Sequence, residues 1–118
     1  MFQITRIYSD ANGDSHFEDI IIPLKDAGPI GFLSETKFAK EIIFRDVDPS
    51  YDYDFHTAPQ KQYIILLDGE IEIETSLGDR RCFKPGEVLL AEDTTGKGHK
   101  TKNISPVRRR SVFITLPD

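Results

Sequence analysis

Short apolar runs separated by turn-forming residues recur along this chain. The most regular is Glu70-Ile71-Glu72-Ile73-Glu74. Its strict alternation puts the isoleucines on one face of an extended strand and the carboxylates on the other. Just before it, Tyr63-Ile64-Ile65-Leu66-Leu67 is continuously apolar and stops at Asp68-Gly69. Asp-Gly between two such runs predicts a two-residue hairpin, since glycine accepts the positive φ that the turn needs.

Other segments carry the same signals. Phe2–Tyr8 reads as an opening strand, and Phe17–Pro23 as a second whose Ile20-Ile21-Ile22 run predicts cover on both faces. Phe38–Arg45 is a third, broken off by Asp48-Pro49-Ser50. Tyr51–His56 alternates with period two, which predicts Asp52, Asp54 and His56 on one face. Arg80–Phe83, Val88–Ala91, Lys100–Ile104 and Ser111–Leu116 complete the set, and Gly28–Gly31 is a turn cluster. About nine or ten short strands with no convincing helix predict an all-β domain, sandwich and barrel being close to even on propensity alone.

A chain of 118 residues holds one domain, 1–118, with one core. The net charge of -5 argues against nucleic acid or an acidic membrane surface as partner. A single cysteine, Cys82, forms no internal disulfide, and no run approaches a membrane span or a leader peptide. The expectation is a soluble cytoplasmic protein.

The region 54–103 resembles the cupin family. Its first motif is His-x-His, three or four residues, Glu, six residues, Gly; here His56, Ala58, Gln62 and Gly69 stand in that spacing. Its second motif begins at Gly86 and ends in His99 and Asn103, with Glu92 at the proline position and a longer loop, Thr94–Gly98. The resemblance implies a single-domain cupin barrel (a double-stranded β-helix, or jelly roll) and a homodimer. It further implies a site in which His56, Gln62 and His99 bind a divalent transition metal (Fe, Mn, Ni, Zn or Cu). Asp54, Ala58, Gln60 and Thr101 are then expected to line the pocket.

Two functions follow from this pattern. The His56/His99 pair favours a metal-dependent enzyme on a small organic substrate, of oxygenase, isomerase or lyase type. Ala58 and Gln62, which remove an imidazole and a carboxylate from the family's set, favour a metal-free protein that binds or senses a small molecule.

Remaining signals are weaker. Asp10–Asp14 lacks the Gly and Glu of a calcium loop, and Thr94–His99 lacks the glycine and hydroxyl residue of a phosphate loop. Flexibility with a solvated Lys97 is expected of that second loop. His16 reads as a surface histidine, Cys82 as a small buried filler, and Arg108-Arg109-Arg110 as charge on an exposed edge strand.

Overall fold

Two sheets face each other across the core. In the computed structural model, which describes Met1–Asp118, the strands are β1 (Phe2–Ser9), β2 (Ser15–Ile22), β3 (Lys25–Asp26), β4 (Phe32–Leu33), β5 (Glu41–Val47) and β6 (Asp52–His56). They continue with β7 (Gln62–Leu66), β8 (Ile71–Thr75), β9 (Arg80–Phe83), β10 (Val88–Ala91), β11 (His99–Asn103) and β12 (Arg109–Thr115). A single 3-10 turn at Gly28–Ile30 is the one helical piece, so no helix is long and apolar enough to cross a membrane.

The larger sheet runs β2-β1-β10-β7-β12-β5 and the smaller β6-β11-β8-β9, with β3 and β4 as a separate ribbon. The pair β1/β10 is parallel and every other pair antiparallel. Alternation at 70–74 is realised: Ile71, Ile73 and Thr75 are buried while Glu72 and Glu74 are half-buried. Ile71, Ile73 and Phe83 of the smaller sheet meet Ile7, Leu66 and Leu89 of the larger. Each such aliphatic side chain contributes about 1.5–3 kcal/mol by leaving water.

One flank is bridged. Between the edge strands β2 and β9, the Phe17 and Phe83 rings lie 6.2 Å apart and Arg81 pairs with Asp19 at 2.7 Å. On the opposite flank β5 and β6 are the edges of their sheets.

Four expectations are corrected here. Asp68-Gly69 makes a positive-φ turn, Gly69 at φ 69°, but β7 and β8 belong to different sheets, so the turn carries the chain between layers instead of closing a hairpin. The Asp68 carboxylate accepts from the Arg110 backbone N–H and from Arg110 Nε, tying the corner to β12. Ile21 is exposed, because β2 is an edge strand with one face bare. β12 is interior, lying between β7 and β5, and Arg109 faces the core; Cys82 is exposed on the outer face of β9.

Candidate functional site

A cavity of about 310 Å³ opens between the two sheets. Its floor is apolar, with Ile7, Ile64, Leu66, Ile71, Ile73 and Leu89 among the contributors. These positions are the inward halves of alternating strands, so the pattern that forms the core also forms the bed. Polar groups stand on the wall above it: His56, Gln62, His99, Thr101 and Arg45. No Asp or Glu lines the cavity, although the chain has 20 of them.

His56 and His99 lie side by side at paired positions of β6 and β11, ring centroids 4.8 Å apart. His99 Nδ1 is 2.6 Å from Asp93 Oδ2, and His56 Nδ1 is 2.8 Å from the Asp54 carbonyl oxygen. Both partners can only accept, so each Nδ1 carries the proton and donates it. Each Nε2 is then the free position of its ring, and neither has a hydrogen-bond partner in the protein. Burial holds the His56 imidazole below its ordinary pKa of 6.5, against the bond to Asp54, with the His99 and Arg45 charges pushing the same way as burial. At neutral pH His56 therefore presents a lone pair.

Asp93 is fully enclosed. It accepts from Ser15 Oγ at 2.9 Å as well as from His99, while its Oδ1 has no partner. Its own backbone carbonyl accepts from the Ala58 N–H, so the loop before β11 is stitched to the segment after β6. The Thr94–Gly98 loop is docked, contrary to expectation. Lys97 donates through its backbone N–H to the Gly13 carbonyl and through Nζ to Asp14, away from the cavity. Gly98, at φ +74°, brings its Cα so close that a Cβ there would stand 2.0 Å from the His56 carbonyl oxygen.

Three of the expected positions, His56, Gln62 and His99, line one cavity, and Ala58 and Thr101 join them. Asp54 and Gln60 do not. A β-bulge is the reason for Asp54: His99 pairs with His56 but Thr101 pairs with Tyr53, so one extra residue on β6 resets the alternation. Tyr53 and His56 both turn inward and Asp54 is exposed, its carboxylate accepting from the Phe55 N–H. Gln60 follows Pro59 round the outside of the rim and lies in a separate polar depression with Lys61 and Thr94.

Two residues of the site escaped the sequence reading. Asp93 carried no signal beyond its place six residues before His99. Arg45 ends a predicted strand, where a terminal arginine reads as solvated, yet it faces inward in the same parity as Ile43. Its guanidinium lies 4.5 Å from the Phe113 ring centroid and 5.3 Å from that of Tyr51, and Nε donates to Ser111 Oγ. Arg109, 1% exposed, stands 5.4 Å from the same Tyr51 ring.

The resemblance implies a metal, and the donors can be tested against it. They comprise two imidazole Nε2 atoms and the Gln62 amide, with no cluster of three or more His, Cys, Asp or Glu. That set fits a divalent cation through three neutral donors, and the carboxylate behind His99 is the usual brace of a metal-binding imidazole.

The fold and site thus define an all-β domain with an apolar cavity capped by two braced imidazoles. No family model matches the chain, and no curated protein matches it. Among solved structures it is similar to the crystal structure of protein NMB1881 from Neisseria meningitidis, with 20% identity over 70% of this chain and 88% of that one and a TM-score of 0.45. A likeness of that size carries no functional conclusion.

Proposed function

We propose that this chain is a single-domain cupin-type barrel that binds a small organic molecule in its cavity, with His99 and Asp93 as a proton-transfer pair. The observation behind this reading is the pair of imidazoles whose Nδ1–H groups are both fixed, leaving Nε2 free above an apolar bed of about 310 Å³. His99 Nε2 accepts a proton from the bound molecule, and Asp93 stabilises the imidazolium that forms, holding the ring in one orientation throughout. His56, kept neutral by burial, accepts a hydrogen bond beside it. The apolar floor excludes water from the reacting end.

The test is a thermal-shift screen of small organic acids, amides and alcohols, followed by incubation of stabilising compounds in D2O. Stabilisation that an Ala91→Phe cavity-filling variant abolishes supports the pocket. Deuterium incorporation that His99→Gln abolishes supports proton transfer. Binding without exchange leaves a non-catalytic binder or sensor, and no stabilising compound at all rejects the reading.

The free Nε2 atoms favour a second reading, in which His56, His99 and Gln62 hold a divalent transition metal. Such an ion would supply Lewis-acid polarisation of a ligand oxygen. Metal analysis of protein purified without chelator or nickel resin separates the two.

The proposal includes a homodimer. β5 is an open edge, and on its outer face Ile42 and Phe44 are exposed, Phe44 by 77%, with Phe38 just before it at 90%. A second copy covers this face and satisfies the edge.

A further inference from the structure

Seven arginines occur in the chain, and five of them face carboxylates: Arg6, Arg80, Arg81, Arg108 and Arg110. The two without an acidic partner are Arg45 and Arg109, and both stand against the Tyr51 ring at the cavity. This is a specific placement in a chain of net charge -5. Arg45 is held by its stem and Nε alone: Phe113 and Tyr51 flank its plane and Ser111 takes Nε, leaving the terminal nitrogens for something else. Arg109 is buried, its Nε donating to Asn103 Oδ1 while Nη1 and Nη2 have no partner in the protein. A buried guanidinium with unpartnered nitrogens is costly unless an anion lies close by.

We propose that the cavity takes an organic carboxylate, whose carboxylate group is bound by Arg45 and whose apolar body lies on the Ile64, Leu66, Ile71 and Leu89 bed. The inference rests on the small-molecule reading above and names its substrate class. Arg45 lines the same cavity as the two histidines, so the molecule is held at a cationic pole while its far end reaches the imidazoles. Guanidinium is suited to the task because its planar fork meets both carboxylate oxygens. Arg109 makes no contact in this scheme. It adds positive potential behind Tyr51, which an incoming anion offsets. The absence of any Asp or Glu from the cavity wall removes the competing internal partner.

The experiment compares hexanoate and benzoate with hexanamide and benzamide by calorimetry, on the full chain. Each pair has nearly the same shape, so the difference reports the charge. The acids should bind about tenfold or more tightly than the amides, because only the carboxylate offers Arg45 a full opposite charge and two equivalent acceptor oxygens. Hexanoate should also shift the Arg45 Nε–H resonance. Arg45→Met should remove the acid's advantage over the amide while the amide still binds, which shows that the cavity still stands, and Arg45→Lys should keep part of the advantage. Amides that bind as well as the acids overturn the carboxylate assignment and leave the pocket reading intact. Inorganic phosphate binding as tightly as hexanoate also overturns it, since the apolar bed would then contribute nothing. If neither acids nor amides bind, the small-molecule reading fails and this inference falls with it.

Discussion

His99 donates its Nδ1 proton to Asp93 across 2.6 Å, with both side chains enclosed by protein. The pair fixes which nitrogen of His99 meets the cavity. Asp93→Asn keeps the shape but removes the charge, and its NH2 falls either at the unpartnered Oδ1 position or against the Ser15 and His99 groups that now donate to Oδ2. We expect a loss of about 1–3 kcal/mol in stability. Nitrogen-15 spectra of the ring should show His99 no longer confined to its Nδ1–H tautomer. An unchanged tautomer would sink the pairing as the cause.

The second prediction concerns Gln62. Its amide lies 5% exposed on β7, makes no hydrogen bond within the protein, and shares the cavity with both imidazoles. Gln62→Glu places a carboxylate where the donor set is short of charge. Cobalt or zinc should then bind about tenfold or more tightly than in the unaltered chain by calorimetry. Equal affinities would show that residue 62 is not directed at the ion.

A third follows from Gly98. Alanine there meets the His56 carbonyl oxygen at 2.0 Å and must also hold φ +74°. The atoms it would meet are backbone of His56 and Thr57, which the bond from Ala58 N–H to the Asp93 carbonyl ties down one residue further on. Gly98→Ala should cost about 3 kcal/mol or more in a denaturant melt. It should also disturb the His56 resonances. A mild effect on both would mean that the loop relaxes freely.

The fourth is a pH dependence. Burial lowers the His56 pKa in the folded chain below 6.5, with His99 and Arg45 contributing and Asp54 and Asp93 opposing. Below the unfolded value, the unfolded chain takes up a proton that the folded one refuses. Stability should therefore fall as pH drops from about 7 towards 5. His56→Gln should flatten this part of the profile, read from urea midpoints. A slope that survives the substitution would assign it elsewhere.

The fifth tests assembly. Light scattering should give a mass near twice 13.4 kDa, and Phe44→Glu should return it to the single-chain value. A mass of one chain for the unaltered protein would reject the dimer.

The legible part of this fold was its alternation. Ile71 and Ile73 point inward as their spacing requires, and β9 and β10 begin and end where the sequence predicted, whereas the unbroken run around Leu66 left its inward face unmarked. What could not be read was pairing. Asp68-Gly69 carries the turn chemistry of a hairpin, but local residues cannot reveal that β7 and β8 find partners in different sheets. The site divides in the same way. His56, Gln62 and His99 converge because their strands do, whereas Asp93 and Arg45 depend on contacts with Ser15, Phe113 and Ser111 far away in sequence. Nothing in their neighbours announces an inward charge.

The bulge on β6 has a consequence for how such a cavity changes over generations. Tyr51 and Tyr53 face the cavity and Asp52 and Asp54 the solvent only because an extra residue before His56 resets the parity. Deleting one residue at 54 or 55 would remove the bulge, set Tyr53 two residues from His56 and leave both facing the cavity. A regular strand of the present length would instead turn Asp52 and Asp54 inward and build an acidic wall beside Arg45. This strand can thus lose one residue to a single-codon deletion with its aromatic wall and both imidazoles left in place.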